Sequence, residues 1–108
     1  MDSELVNFVN ALIRATDTTI REHHDGLAYH GYRDVAVVMR HMTDLGTDGY
    51  IKMLTSNRQG MSPWVPIVNA VEAALQYAYD ARFKGTYPDY REWRRRTLMS
   101  AVRWLAYQ

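Results

Sequence analysis

The spacing of the apolar residues is the feature that most limits how this chain can fold. In five successive segments, apolar residues recur at intervals of three and four, which is the period of one face of an α-helix. Glycine and proline stand between segments, where helices stop and start. We therefore predict an all-α protein, a compact bundle of about five helices joined by short turns that contain glycine or proline. At 108 residues, the chain is expected to form a single helical domain over positions 1–108.

Capping residues place the five predicted helices. Ser3 is a suitable N-cap for the first helix, and the pair Ser62-Pro63 is the clearest helix start in the chain. The branched residues after Asp34 would suit a strand by propensity. However, the apolar residues that follow share one helical face, and Gly46 closes the segment. The predicted helices cover residues 3–23, 34–45, 48–57, 62–84 and 90–107.

Composition excludes several classes of protein. The chain has no cysteine, which removes disulfide bonds and Cys-ligated zinc or iron–sulfur sites. Its apolar share of 47% and charged share of 23% are those of a globular protein, so disorder is not expected. The longest apolar stretches contain polar residues or are too short to span a bilayer. The N-terminus is acidic, unlike a secretory signal peptide. We expect a soluble cytoplasmic protein without a membrane partner.

The segment from Tyr90 to Tyr107 gives the strongest indication of function. It is predicted to be one amphipathic helix, and it contains five arginines, two tryptophans and two tyrosines. These side chains bury large areas while keeping a polar end, and they are enriched at the hot spots of protein interfaces. We predict stoichiometric binding to another protein, with contacts from Trp64, Tyr87, Tyr90, Arg91, Trp93, Arg94, Arg95, Trp104 and Tyr107.

No motif in the chain identifies this partner. A second copy of the chain, which would form a homodimer, is the simplest candidate. No segment carries the motif of a known family, but the size and the lack of a catalytic motif are typical of small helical regulators. Such proteins act as inhibitors, antiactivators or adaptors. The sequence also leaves open a different interpretation, in which a solvated basic face covers a core that buries Trp93.

Nucleic acid is the alternative partner. Arginines of the last helix would neutralise phosphates while an aromatic ring stacked on a base. A helix-turn-helix around residues 34–58 would instead present Lys52 and the polar residues at 57–59. The net charge is only +1, and a mild basic excess is confined to positions 61–108. Dedicated nucleic-acid binders carry a larger basic excess, so this alternative ranks second.

Catalysis and metal binding are not predicted. His23, His24, Asp25 and His30 lie close together, but they lack the spacing that places two ligands on one helix face, as in HExxH. The serines occur where turns, caps and helices explain them. The chain has no GxSxG elbow, no phosphate-binding glycine loop and no calcium-binding loop. We therefore expect a non-enzymatic protein with no metal and no cofactor.

Overall fold

Four α-helices and a π-helical segment make up the described part of the chain. The computed structural model describes residues 2–23, 28–56 and 62–107 and has no strand within these ranges. In chain order, the elements are α1 (Ser3–His23), α2 (Tyr32–Thr55), α3 (Trp64–Ala78), the π-helical segment (Tyr79–Phe83) and α4 (Tyr90–Ala106). They enclose one apolar core to which every helix contributes. The predicted all-α class and the compact bundle are confirmed.

The number of helices differs from the prediction because two predicted helices are one. The segments at 34–45 and 48–57 join in α2, which runs through Gly46 and ends at Thr55. Gly46 has non-helical dihedral angles (φ 73°, ψ 166°), which glycine adopts because it lacks a Cβ. The predicted break at Gly46 is therefore present, but it is a kink of one residue between two helical halves of α2 and not a longer turn. Position 57 lies outside the described residues.

Side-chain oxygens cap α3 and α4. Ser62 Oγ accepts a hydrogen bond from the backbone N–H of Trp64 (3.2 Å), so Ser62 caps α3 as predicted. Asp89 Oδ1 accepts from the N–H groups of Arg91 (2.9 Å) and Glu92 (3.4 Å) at the start of α4. These bonds satisfy N–H groups that have no acceptor within their own helix.

The cap of α1 lies one residue earlier than predicted. Ser3 is the first helical residue, and Asp2 Oδ1 accepts from the backbone N–H of Glu4 (3.0 Å). A carboxylate here also interacts favourably with the positive end of the helix dipole. The acidic N-terminus therefore has a structural role in starting α1.

An aromatic cluster fills the centre of the core. The ring of Phe83 lies 5.6 Å from Phe8 and 5.1 Å from Trp93, measured between centroids, and Tyr79 lies 5.3 Å from Trp93. The π-helical segment brings two of these rings together. Its wider turn, closed by the bond from Lys84 N–H to the Tyr79 carbonyl (2.9 Å), directs both Tyr79 and Phe83 inward. The C-terminal third of the chain is thus fixed to α1 through aromatic packing.

No helix within the described ranges is both long and apolar enough to cross a membrane.

Replacing Gly46 tests the bend in α2. Gly46→Ala is expected to lower the free energy of unfolding by about 1–3 kcal/mol, because a residue with a Cβ is strained at these dihedral angles. The added Cβ would meet nothing within 4 Å, so the loss is conformational rather than steric. Chemical denaturation followed by circular dichroism measures it.

Gly85→Ala is the matched control for that substitution. A Cβ at Gly85 also meets nothing within 4 Å, but the φ of Gly85 is not positive. We expect its free energy of unfolding to stay within about 0.5 kcal/mol of the wild-type value. If both variants were as stable as the wild type, the described bend at Gly46 would be contradicted.

Candidate functional site

α4 forms part of the wall of two cavities, one on each side of its buried stripe. The stripe consists of Trp93, Thr97, Leu98, Ala101 and Leu105, which pack into the core. With 3.6 residues per turn, the residues that line the first cavity fall on one flank of this stripe, and those that line the second fall on the other. The predicted contact residues of the last helix are therefore divided between two places.

The first cavity, which we name the α1/α4 groove, has a volume of about 570 Å³. Its apolar lining comes mainly from Leu5, Val6 and Val9 of α1 and from Trp104 near the end of α4. Of the predicted contact residues, the groove contains Tyr87, Trp104 and Tyr107.

Trp104 is exposed although it lies on the inward arc of α4. It follows Trp93 by eleven residues, which is about three turns, so both tryptophans lie at nearly the same angle around the helix. Yet Trp93 is 0% exposed and Trp104 is 51% exposed. No described element covers the helix at Trp104, because the groove opens there. Val6 of α1 is likewise exposed (36%) in the same groove.

One end of the groove is closed by polar contacts. The hydroxyl of Tyr87 donates to Asp2 Oδ2 (3.1 Å), and the guanidinium of Arg96 lies 5.8 Å from the centre of the Tyr87 ring. Burial, followed by the hydrogen bond to Asp2, raises the pKa of Tyr87 above its ordinary value. Asp2 is thus engaged both by this hydroxyl and by the N–H of Glu4. Both donors are uncharged, so they position the carboxylate at this end of the groove without neutralising it.

Trp93 was predicted to contact a partner, and this prediction is wrong for the chain as folded. Its side chain is fully buried within the aromatic cluster. Its indole N–H has no hydrogen-bond acceptor within the described residues, so the ring is held by packing rather than by a polar contact. Trp64, at the start of α3, is partly buried and packs against the core. Both tryptophans lie outside the lining of the α1/α4 groove.

The second cavity, which we name the α2-kink cleft, has a volume of about 620 Å³ and lies where α2, α3 and α4 meet at Gly46. Arg94 crosses its floor. Nε of Arg94 donates to Glu72 Oε1 (2.8 Å), Nη1 to the carbonyl of Met42 (3.2 Å) and Nη2 to Thr47 Oγ1 (2.9 Å). Arg94 therefore binds α2 on both sides of its bend and joins it to α3. The other predicted contact residues that line this cleft are Tyr90, Arg91 and Arg95.

Glu72 accepts the hydrogen bonds that hold this cleft together. Besides Arg94, its donors are the hydroxyl of Thr47 (2.5 Å), the hydroxyl of Tyr90 and the amide of Gln76 (3.3 Å). Burial alone would raise the pKa of Glu72. The hydrogen bonds from Thr47, Tyr90 and Arg94, together with the positive charge of Arg94, outweigh burial and lower it. Burial and the neighbouring Glu72 raise the pKa of Tyr90, so its hydroxyl stays protonated and donates.

Sequence reasoning did not find Glu72 or Thr47. A signal for Glu72 was present, because it is the sole charged residue in α3, whose other residues are mostly apolar. A carboxylate on such a helix needs a partner of opposite charge to be stable when buried. No local pattern distinguishes Arg94 from the other four arginines of the last helix.

The histidine-rich segment forms no site within the described residues. Nδ1 of His23 donates to the carbonyl of Thr19 (2.9 Å), one turn back in α1. Across residues 2–23, 28–56 and 62–107, no group of three His, Asp or Glu side chains is placed to hold a metal ion. His24 and Asp25 lie outside these ranges.

The turn of a helix-turn-helix motif is not present between the two halves of α2. The two segments that would form it are joined through Gly46 alone, whereas that motif uses a turn of three or four residues. Lys52 is exposed near the end of α2, and residues 57–59 are not among those described.

Comparison of the chain with protein-family models, with curated proteins and with solved structures found no match.

Glu72→Gln tests the buried ion pair. We expect it to lower the free energy of unfolding at neutral pH by about 3 kcal/mol, because Arg94 loses its counter-charge while its side chain remains 14% exposed. The matched control is Asp44→Asn, which removes the carboxylate of the exposed pair with Arg40. That change should cost less than about 1 kcal/mol. Equal losses in the two variants would show that Glu72 is no more important than a surface carboxylate.

Acid should weaken the same contact. The pKa of Glu72 is lower in the folded chain than its ordinary value of 4.5. The stabilisation is therefore complete above that pH and is lost as the pH falls through the folded-state pKa. Urea titrations at a series of pH values below 5 should show a steeper loss of stability for the wild type than for Glu72→Gln. Parallel pH profiles would contradict a lowered pKa for Glu72.

Proposed function

We propose that this chain is a small, non-enzymatic regulatory protein that binds another protein stoichiometrically through the α1/α4 groove. The segment that it binds is an amphipathic helix with acidic residues beside its apolar face. By covering that helix, the chain acts as an inhibitor, an antiactivator or an adaptor.

The exposure of Trp104 is the observation that carries this proposal. Trp104 continues the buried stripe of α4 into the groove but is 51% exposed. Tyr107, in the same groove, is 88% exposed. Tryptophan and tyrosine dominate interface hot spots because covering their rings removes a large area from water. A partner side chain placed over Trp104 would complete the apolar stripe that the fold leaves open.

The length of the groove favours a helix of about three turns. α4 lines the groove from Arg96 to Tyr107, a distance of about 16 Å along its axis. α1 adds an apolar strip from Leu5 to Val9. Grooves between helices bind amphipathic helices through apolar anchors spaced three, four and seven residues apart.

The charges around the groove favour an acidic partner. Arg96 and Arg103 line it on α4, two turns apart. Arg103 forms no ion pair with any described residue. Asp2 is the one carboxylate among the lining residues, so the two arginines outnumber it and the net charge of the lining is positive. Opposite charges across an interface speed association and select the partner.

Trp104→Ala should weaken partner binding without unfolding the protein. We expect a loss of about 2 kcal/mol in binding free energy, which is about 30-fold in Kd, because a hot-spot ring is removed. The free energy of unfolding should change by less than about 1 kcal/mol, since the side chain is half exposed. Isothermal titration calorimetry and thermal melting measure the two quantities. A large fall in stability with unchanged affinity would assign Trp104 to the core instead.

A photocrosslinking experiment identifies the partner. The photoreactive residue p-benzoylphenylalanine is placed at Tyr107 and, as a matched control, at Tyr77. Both tyrosines are exposed (88% and 78%), but Tyr77 lies on α3 and does not line the groove. After irradiation in the native lysate, a crosslink from position 107 but not from 77 to an acidic amphipathic helix of another protein supports the proposal.

Two other outcomes of the crosslinking contradict it. Crosslinks between two copies of the chain would mean that the groove forms a homodimer. Recovery of nucleic acid, with affinity that falls steeply as salt is raised, would favour the alternative in which α4 binds phosphates.

A further inference from the structure

The α2-kink cleft contains two arginines whose charges are not balanced by any described residue. Arg91 and Arg95 both line it and are exposed. Neither forms an ion pair within residues 2–23, 28–56 and 62–107. They are four residues apart on α4, so their side chains are neighbours and their like charges repel each other. The fold thus holds two cations side by side at a cavity of about 620 Å³.

Two of the exposed arginines elsewhere in the protein have a carboxylate partner at this spacing. Arg21 pairs with Asp17 (3.1 Å) on α1, and Arg40 pairs with Asp44 (2.9 Å) on α2. At the cleft, the residue one turn from Arg91 is Arg95. An anion bound between them would supply the missing negative charge.

Arg94 adds a third positive charge to the lining of the same cleft. Its guanidinium donates to Glu72, Met42 and Thr47. These contacts hold Arg94 in place, so its charge is fixed in position before a ligand arrives.

The carboxylates of the cleft do not cancel this positive charge. Glu72 and Asp48 both line it, and Glu72 is matched by Arg94 at 2.8 Å. Asp48 is exposed and makes no ion pair with a described residue. The three arginines outnumber the two carboxylates, and Asp48 should reduce the affinity for an anion by repulsion.

We propose that the α2-kink cleft binds a small phosphorylated molecule, with its phosphate group held between Arg91 and Arg95. The planar guanidinium presents paired N–H donors that match phosphate oxygens. The cleft is larger than a phosphate ion, so the rest of the molecule lies against polar groups such as Thr43 and Gln76. Binding here is separate from the groove, because none of these residues lines the groove.

The test uses inorganic phosphate and pyrophosphate as probes, with malonate as a dicarboxylate comparison and chloride added to equalise ionic strength. Binding to the full chain is followed by amide chemical shifts and by the rise in melting temperature. We expect both phosphates to shift residues around Gly46 and on α4, and malonate to bind more weakly. Arg91→Ala/Arg95→Ala should weaken phosphate binding about tenfold or more, whereas Asp48→Asn should tighten it.

Arg14→Ala/Arg33→Ala is the matched control, because it removes the same charge from exposed arginines that line neither cavity. This variant should bind phosphate as the wild type does. Without phosphate, Arg91→Ala/Arg95→Ala should melt no lower than the wild type, since it relieves a repulsion. The proposal is overturned if the wild type does not bind either phosphate, or if the control loses binding equally. Malonate binding as tight as phosphate binding would overturn the choice of a phosphate group.

Discussion

The ion pair between Arg94 and Glu72 is the contact on which the arrangement of α2, α3 and α4 depends. Both side chains are 14% exposed, and their charged atoms lie 2.8 Å apart. Arg94 also binds the Met42 carbonyl before the bend in α2 and the Thr47 hydroxyl after it. A buried ion pair of this kind adds little net stability by itself, but the loss of one partner is costly because the other charge is stranded. Its consequence is therefore specificity, since moving any one of the three helices would break at least one of these hydrogen bonds.

The two flanks of α4 differ because of what packs beside them. On the flank near α2 and α3, polar side chains meet and form a cleft lined by charges. On the flank near α1, the aromatic cluster fills the space around Trp93 but does not extend to Trp104. The interior is closed along the first part of the helix and open along the last part. The groove results from this incomplete packing at the end of α4.

Local patterns predicted the helices well because helical spacing and caps act over a few residues. Ser62 caps α3 as expected, and the stripe of α4 is buried. At Gly46, the spacing predicted the break but not that the second half of α2 continues at the next residue, where Arg94 contacts both halves. Trp93 and Trp104 show a second limit. The two side chains lie at nearly the same angle around α4, and their difference in exposure comes only from how other elements pack beside them.

The candidate site was predictable only in part, because local patterns cover a few neighbouring residues and the site also depends on distant ones. The aromatic residues at the end of the chain pointed to α4, and Trp104 and Tyr107 do line a groove there. The partner of each arginine depends on residues far away in sequence, such as Glu72, which lies twenty-two positions before Arg94. Such pairs depend on tertiary structure, and the spacing of apolar residues along the chain does not specify it.

Nearly every side of α4 either packs into the core or lines one of the two cavities, and this has a consequence for its sequence. One stripe of the helix lies in the core, one flank lines the groove and the other lines the cleft. From Tyr90 to Tyr107, the exposed residues that line neither cavity are Glu92 and Ala106. α1, by contrast, has exposed positions over its whole length that touch neither cavity, such as Asn7, Arg14 and Thr18. If the groove and the cleft bind as proposed, random mutagenesis should find α4 the least permissive helix of the protein, with neutral substitutions concentrated at those two positions.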